Sequence, residues 1–370
     1  MHDFLNQKGG AERVVAGMAR LYEDAPIFTS LYLPDQTFEE FRSRDVRTSF
    51  LQAVPFKQAL FEALLPLYPR AFRSFDLSGF DLVISSSTHW AHHVRPREAF
   101  HVVYCHNPPR WLYQTEEYLQ AGSPAPGWTH GLLRPLLSHL RRLDQDAARG
   151  PDLYIANSQV VAERIRRVYG REAPVVNPPV DTAKFRGPQQ GTSMPERRPE
   201  GGEKHYLVVG RLLPYKRIDL AIEACNRRRT PLVIVGEGPA RASLERLAGP
   251  TVRFAGKVGE EELVRLYRGA HALIQCGAED FGIAPLEANA AGVPVVAFRN
   301  GGALETVITD VTGIFFPEQR GDELELALDK VEASTWDRTT LQAHAERFDE
   351  SSFMRQLSRV IGERMNGSSA

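Results

Sequence analysis

Short apolar runs rich in Val, Ile and Leu recur along this chain, separated by segments in which apolar residues return with a helical spacing. The runs do not alternate between apolar and polar positions, which is typical of strands buried on both faces of a parallel sheet. The predicted strands cover residues 82–85, 101–105, 153–157, 206–210, 232–236, 252–255, 272–276, 294–298 and 313–316. Helices are predicted between them, for example over 217–228, 260–268 and 285–291. This alternation predicts an α/β fold with parallel sheets.

Residues 186–204 interrupt the pattern. They are mainly Gly, Pro, Gln, Ser and charged residues with almost no apolar side chain, which is typical of a flexible linker. The linker divides the chain into two predicted α/β domains, residues 1–185 and 205–335, and a ligand cleft is expected between them. The helical segments over 336–370 are expected to cross back to the first domain.

The beginning of the first domain departs from the expected order. The sequence Lys8-Gly9-Gly10-Ala11-Glu12 predicts a Gly-rich turn that opens a helix. Such a turn normally follows a buried strand, but Asp3 and Asn6 in the preceding segment suit a strand poorly. We therefore expect that a first strand of about ten residues or fewer is missing, given the ~3.3 Å rise per strand residue.

Composition and charge exclude several classes of protein. The 370 residues carry a net charge of −1 and 42% hydrophobic residues, so no overall field attracts nucleic acid. The three cysteines are predicted to be separate, buried and reduced, which fits the cytoplasm. Neither a signal peptide nor an apolar run of about 18 residues is recognised. Clustered arginines indicate either a solvated helix face or contact with an anionic membrane surface, namely Arg141, Arg142, Arg149, Arg164, Arg166 and Arg167.

The segment from Glu279 to Glu287 carries the strongest candidate chemistry. It follows a predicted strand, and Pro285 suits the first turn of a helix, so Glu279 lies in the loop and Glu287 in the early helix. The free backbone N–H groups of such a helix start attract anions. The pattern suits a ligand with phosphates in its middle and hydroxyls at both ends. Simple stabilisation of the helix dipole by acidic residues is the equally weighted alternative.

A second loop, Gly210-Arg211 through Lys216-Arg217, follows the strand over 206–210. A cation at the start of the next helix interacts unfavourably with the helix dipole and costs about 0.3–1 kcal/mol of stability. A bound anion would make the position of these cations favourable. Arg211 and Lys216 are thus candidates for a diphosphate clamp. Basic side chains in water at a surface helix are the alternative.

Other signals are weaker. His106 follows a strand, where α/β proteins bind ligands, although a lone His is more often structural. The pairs Gly9-Gly10 and Gly301-Gly302 precede helices and allow close backbone approach, or are plain turns. Metal binding is not predicted, since Asp144 and Asp146 lie in a helical stretch. The cluster of His89, His92 and His93 lacks a carboxylate partner in the sequence.

Taken together, these segments resemble the retaining GT-B glycosyltransferases of family 4. The matching segments, in order, are Gly9-Gly10-Ala11-Glu12, His106, Asn157-Ser158, Gly210-Arg211 with Lys216, Gly256-Lys257-Val258, Glu279-Asp280-Phe281-Gly282-Ile283 with Glu287, and Gly301-Gly302 with Glu305. The resemblance covers nearly the whole chain. It implies two Rossmann-like doubly wound domains facing a central cleft, with residues 205–335 binding the donor and residues 1–185 on the acceptor side.

The resemblance also implies roles for individual residues. Arg211 and Lys216, beside Gly210, hold the donor diphosphate, and Gly10, following Gly9, approaches the phosphates. Glu279 and the backbone of Phe281, Gly282 and Ile283 grip the sugar. Glu287 binds the ribose, Val258 lies against the base, and His106 sits beside the anomeric centre.

The family transfers sugars with retention and requires no metal or other cofactor. The sequence segments around His106 and Glu279 are most similar to those of mannosyltransferases that build bacterial surface polysaccharides. GDP-mannose is therefore the expected donor. A saccharide or lipid-linked saccharide is the expected acceptor, at the inner face of the cytoplasmic membrane. A sugar-nucleotide epimerase of the same fold and a non-catalytic sugar-nucleotide-binding subunit remain alternatives.

Overall fold

The computed structural model of the protein describes residues 1–57, 64–113, 129–186 and 204–367. The predicted linker over 186–204 lies outside the described residues except at its two ends. The chain forms two compact units. One contains Met1–Tyr118, Ser123–Pro179 and Glu350–Ala370, and the other contains Leu119–Gly122 and Val180–Asp349.

Every paired strand of the described residues runs parallel to its neighbour, which confirms the predicted α/β fold. The strands are β1 (Ile27–Thr29), β2 (Val46–Thr48), β3 (Leu82–Ser87), β4 (Phe100–Cys105), β5 (Leu153–Ala156), β6 (His205–Val209), β7 (Leu232–Val235), β8 (Val252–Gly256), β9 (Ala270–Gln275), β10 (Val295–Phe298) and β11 (Gly313–Phe316).

Helices occupy most of the intervals between strands. The α-helices are α1 (Gly10–Leu21), α2 (Tyr68–Arg73), α3 (Arg110–Tyr113), α4 (Thr129–Ala147), α5 (Gln159–Tyr169), α6 (Thr182–Phe185), α7 (Ile218–Arg228), α8 (Arg241–Leu247), α9 (Glu260–Gly269), α10 (Ile283–Ala290), α11 (Ala303–Thr306), α12 (Gly321–Ala333), α13 (Arg338–Glu346) and α14 (Glu350–Gly367). Short 3₁₀ helices cover Glu39–Ser43, Phe50–Ala53, Leu65–Leu67, Ala91–His93 and Pro214–Lys216.

The first unit contains the pairs β1-β2 and β3-β4-β5, and the chain before α1 joins them. His2 forms parallel bridges to both Thr29 in β1 and Ser86 in β3, and Leu5 bridges Tyr32. The expectation of a missing strand is therefore wrong for this position of the sheet, because residues Met1–Leu5 fill it. Asp3 suits the position because its carboxylate accepts hydrogen bonds from the backbone N–H groups of residues 88–91 at 2.6–2.9 Å.

The second unit contains one six-stranded sheet in the order β11-β10-β9-β6-β7-β8. The chain starts in the middle at β6, proceeds outward to β8, and then returns to the other side of β6 with β9. The loops after β6 and β9 consequently leave the sheet in opposite directions. The carboxyl ends of β6 and β9 form the topological switch point at which such sheets bind ligands.

Both faces of this sheet are covered, as the non-alternating runs predict. Tyr206 and Ile234 face a core that includes α7 and α12. Leu207 and Val233, the neighbours of these residues in the same strands, face a core that includes α9 and α10. The central strands therefore hold their loop ends on a rigid base.

The two C-terminal helices belong to different units. Helix α13 stays with the second unit, which corrects the expectation that the whole of 336–370 crosses back. Helix α14 belongs to the first unit, where Phe353 and Leu357 pack in a core with Tyr104 and Ile155.

The sequence predicts three separate, buried cysteines and no apolar run long enough to cross a membrane. Cys105, Cys225 and Cys276 are all buried, and none of them forms a disulfide bond. Within the described residues, no helix combines the length and the apolar character that a bilayer crossing requires.

Candidate functional site

Four loops at the carboxyl edge of the second unit's sheet approach one another through glycines. A Cβ atom on Gly236 would lie 2.0 Å from the carbonyl oxygen of Gly210, and one on Gly277 would lie 2.6 Å from the Cα of Lys216. On the other side, a Cβ on Gly302 would lie 2.2 Å from the Cα of Phe281. The loops after β6, β7, β9 and β10 thus pack backbone against backbone around the switch point.

Lys216 and Glu279 meet at this edge. The Lys216 Nζ lies 2.8 Å from the Glu279 Oε1, and both side chains are about four-fifths buried. Burial alone lowers the pKa of Lys216, but the charge of Glu279 and their hydrogen bond outweigh it and raise that pKa above its ordinary value. The site therefore holds a charged ammonium and a carboxylate, one from each loop flanking the switch point.

The local backbone explains how Lys216 is placed. It ends the 3₁₀ turn Pro214–Lys216, and Arg217 follows with a φ of +50° before α7 begins. The Arg217 guanidinium pairs with Asp219 at 2.9 Å, so the basic charge at the helix start is balanced within the turn. The sequence predicts Lys216 at the start of the next helix, and it lies instead in the 3₁₀ turn that precedes α7.

Gly210 and Arg211 lie beside this turn. Gly210 has a φ of +152°, and a Cβ there would lie 2.8 Å from the Lys216 Nζ. The Arg211 side chain is exposed, and the structure gives it no hydrogen bond or ion pair to a described residue. Arg211 is therefore available to an external anion next to Lys216.

Helix α10 begins at Ile283, four residues after Glu279. Gly282 precedes it with a φ of +91° and supplies no side-chain cap. No acceptor in the described part of the chain meets the backbone N–H groups of Phe281, Gly282 or Ile283. The Phe281 ring is buried with Leu286, which fixes the loop while its N–H groups stay unused. Such a helix start is suited to anionic or hydroxyl-bearing ligands.

Glu287 lies one turn into α10 and is buried, with 5% exposure. The hydroxyl of Tyr267 in α9 donates a hydrogen bond to its Oε2 at 2.7 Å. Val258, between β8 and α9, is half-buried and packs against the same core. Val258 thus lies just before α9, and Glu287 is bonded to a residue of α9.

In the first unit, the Gly9-Gly10 turn is built around Glu12. Gly9 is extended rather than left-handed, and a Cβ there would lie 2.5 Å from the Glu12 Oε2. Glu12 is buried, and Gln7 donates a hydrogen bond to its Oε1 at 3.1 Å. The need for glycine at position 9 thus arises from a buried carboxylate.

His106 belongs to the same polar network. Its Nε2 lies 2.8 Å from the Ser86 Oγ, which also lies 3.1 Å from the His2 Nδ1. The His2 Nε2 is 3.8 Å from the Glu12 Oε1. His106 is therefore held at the end of β4 by groups from β3 and from the chain before α1.

The roles predicted for Gly9, Gly10, His106 and the residues of the second unit stay predictions, because no ligand tests them. Sequence reasoning missed Tyr267, Ser86 and the glycines at 236 and 277. Gly236 and Gly277 directly follow predicted strands, a signal that was available. The partner of Glu287 was not predictable, since it depends on how α9 packs.

One interpretation from the sequence is corrected in the first unit. His92 and His93 do have a carboxylate partner, because Asp144 in α4 reaches them. The Asp144 Oδ1 lies 3.2 Å from the His92 Nε2 and 3.7 Å from the His93 Nε2. All three side chains are buried.

Two family models match consecutive parts of the chain. The model "Glycosyltransferase Family 4" matches residues 8–184, and the model "Glycosyl transferases group 1" matches residues 190–349. These regions meet within the predicted linker.

Curated proteins are similar over about half of the chain. A GDP-mannose-dependent alpha-(1-6)-phosphatidylinositol monomannoside mannosyltransferase of Mycolicibacterium smegmatis is 36% identical over 208 residues, covering 50% of this chain and 53% of its own length. A D-inositol 3-phosphate glycosyltransferase of Saccharomonospora viridis is 30% identical over 228 residues, covering 53% and 52%. The chain therefore spans about half the length of the curated relatives it matches.

A solved structure supports the fold over nearly the entire chain. Anabaena HepE, in complex with UDP and glucose, has a TM-score of 0.71 and 20% identity, covering 98% of this chain and 99% of that one. At this identity the likeness shows the fold alone.

Proposed function

Because this chain belongs to the GT-B glycosyltransferases of family 4, we propose that it transfers a hexose from a nucleotide-sugar donor to an acceptor. The observation that carries the proposal is the Lys216–Glu279 pair at the switch point of the second unit. A cation and a carboxylate side by side match the two chemically different parts of a nucleotide-sugar, an anionic diphosphate and a hydroxylated ring.

In this proposal the diphosphate takes the place of Glu279 as the partner of Lys216. Arg211 adds a fork of N–H donors, which suits phosphate oxygens. The released Glu279 carboxylate accepts hydrogen bonds from sugar hydroxyls, and the N–H groups of Phe281, Gly282 and Ile283 donate to the same ring. Stabilising the charge that develops on the leaving diphosphate is then the main catalytic contribution.

Glu287 and Val258 are proposed to hold the nucleoside. A carboxylate accepts both hydroxyls of a ribose, and Tyr267 fixes the orientation of Glu287 through its Oε2. Val258 offers an apolar surface to the base. In the first unit, His106 and the Gly9-Gly10 turn are proposed to act on the donor as well.

We further propose GDP-mannose as the donor, with retention of anomeric configuration and no metal in the transfer step. The mycobacterial relative, which uses GDP-mannose, supports the donor assignment. The cationic groups Arg211 and Lys216 support metal-independent transfer, because they supply the positive charge that a divalent ion would otherwise provide.

The proposed acceptor is a saccharide or a lipid-linked saccharide. The phosphatidylinositol-linked acceptor named for the mycobacterial relative supports this class. The exposed arginines Arg142 and Arg167, in α4 and α5, are suited to an anionic membrane surface.

A thermal-shift screen of GDP, UDP and ADP with and without their sugars tests the donor. A ligand at 100 times its dissociation constant should stabilise the protein by about 2.7 kcal/mol. GDP and GDP-mannose are expected to raise Tm, and product analysis should show mannose transferred with retention. Epimerised nucleotide-sugar without transfer would replace this proposal with the epimerase alternative. A rise with UDP only would overturn the GDP assignment.

Variants separate the proposed roles. Lys216→Ala should abolish donor turnover, whereas Lys330→Ala, at an exposed lysine of α12, should not. Glu287→Gln should weaken binding of free GDP. Glu279→Gln should weaken binding of GDP-mannose more than binding of GDP. Equal losses for both ligands in the two glutamate variants would contradict the division of roles.

A further inference from the structure

The His92–His93–Asp144 cluster lies in the first unit, apart from the polar network around His106. His92 and His93 lie in the 3₁₀ turn after β3, and Asp144 lies in α4. One ligating atom of each residue lies within 4.8 Å of those of the other two. Exposure is 3% for His92, 1% for His93 and 0% for Asp144, so bulk water does not solvate the cluster.

Neighbouring side chains form hydrogen bonds with one oxygen of Asp144 and one ring nitrogen of His92. The hydroxyls of Tyr113 and Tyr169 donate hydrogen bonds to the Asp144 Oδ2 at 2.7 and 2.9 Å. The His92 Nδ1 lies 3.2 Å from the Ser87 Oγ. These contacts orient the Asp144 Oδ1 and the His92 Nε2 toward the interior of the cluster, as outer partners do in metal sites.

The inward atoms are left without hydrogen bonds. Among the described residues, no hydrogen bond of acceptable geometry reaches the His92 Nε2, either ring nitrogen of His93, or the Asp144 Oδ1. A buried carboxylate oxygen and buried imidazole nitrogens that make no hydrogen bond are costly. These atoms lie close together without hydrogen-bond geometry between them, as the ligand atoms around a metal ion do.

The two separations between Asp144 and the histidines suit a small tetrahedral cation. Ligands about 2.0–2.1 Å from a tetrahedral zinc ion lie about 3.3 Å from one another. The Asp144 Oδ1 lies 3.2 and 3.7 Å from the two Nε2 atoms. Because the tyrosines occupy the Oδ2, the carboxylate binds through one oxygen, which favours low coordination over the octahedral oxygen sites of Mg²⁺.

We propose that His92, His93 and Asp144 bind one zinc ion, which joins the turn after β3 to helix α4 and stabilises the first unit. The site is structural, and it takes no part in the proposed sugar transfer.

Metal analysis tests this proposal. Tag-free protein, expressed with zinc and dialysed against metal-free buffer, should contain close to one zinc per chain by mass spectrometry. His93→Gln and Asp144→Asn should each lose that zinc. His139→Gln should retain it, because His139 is an exposed histidine on the same helix. Chelation should lower the Tm of the wild type, and added zinc, but not Mg²⁺, should restore it.

Wild-type protein with less than about one-tenth of a zinc per chain would overturn the proposal, whether or not the variants fold. Zinc retained by Asp144→Asn would also overturn it. An equivalent of another transition metal in the wild type would contradict the assignment to zinc. Circular dichroism of each variant distinguishes loss of metal from loss of fold.

Discussion

At the scale of single residues, the charge of Lys216 depends on Glu279. Burial disfavours the ammonium, and the carboxylate at 2.8 Å more than compensates. The pair is therefore not a surface ion pair of small effect, because the buried ammonium of Lys216 needs the carboxylate beside it to stay charged.

Glu279→Gln should make nucleotide binding sensitive to pH. Without the carboxylate, burial dominates and the pKa of Lys216 falls, so the ammonium is lost as the pH rises. Affinity of the variant for GDP should therefore decrease between pH 7 and pH 9.5, whereas that of the wild type stays nearly constant. Calorimetric titration across this range measures the difference.

The double variant Glu279→Gln, Lys216→Arg is the control, because a guanidinium does not titrate in this range. Its affinity should not depend on pH. The same pH dependence in both variants would place the titrating group elsewhere.

His101 should make the first unit sensitive to acid. It is buried at the start of β4, and its Nε2 lies 2.9 Å from the Ser85 Oγ. Burial lowers its pKa to about 3. Below pH 6.5 the unfolded chain gains a proton that the folded protein does not, so stability falls as the pH falls toward 3. From pH 7.5 to 5.5 this loss amounts to about 1.4 kcal/mol.

The variant His101→Gln keeps a group that can bond to Ser85 but does not titrate. Denaturant titrations at both pH values should show that its free energy of unfolding decreases less than that of the wild type. Equal decreases would show that His101 does not cause the acid sensitivity.

Sequence patterns located Glu279 and Lys216 because both lie where a strand ends, and parallel strands bring such ends to one edge. They did not locate Tyr267 or Asp144. Both act from within helices, and which side chain a helix directs at a buried carboxylate or imidazole depends on its packing. The spacing of residues along the chain does not show how a helix packs.

At the scale of elements, glycines let the loops of the second unit share one edge. Gly236→Ala should destabilise this unit by about 3 kcal/mol, because φ is +131° and the new Cβ would lie 2.0 Å from a carbonyl oxygen. Gly269→Ala, at the end of α9, should have little effect, since its Cβ would meet only the His205 ring at 3.4 Å. Denaturant unfolding of both variants, with and without GDP, measures the change in stability of this unit. Equal stability of the two variants would contradict the close packing of these loops.

The elements that the sequence did not predict are short or carry polar residues for a tertiary reason. Strands β1 and β2 have three residues each, too few for a periodic pattern. The chain before α1 contains Asp3, whose carboxylate satisfies backbone N–H groups in a distant turn. Such a residue contradicts strand propensity unless the turn is already known.

At the scale of the whole molecule, α14 completes the core of the first unit. The Phe353 ring lies 5.9 Å from that of Tyr104 and next to Gly17 of α1. Phe353→Ala should lower the stability of the first unit by about 3–5 kcal/mol. Arg359→Ala, at an exposed position of α14, should not. The stabilisation of the second unit by GDP should persist in both variants. Loss of that stabilisation in Phe353→Ala would show that the two units do not unfold independently.

The return of α14 also determines the order of events on the ribosome. The described residues 204–349 of the second unit follow one another along the chain, so this unit can fold once residue 349 has emerged. The first unit, although most of it is synthesised earlier, waits for residues 350–367 to cover Tyr104 and Ile155. During that interval an apolar face of a parallel sheet is uncovered. Nascent chains of this protein should therefore engage chaperones through the half that leaves the ribosome first.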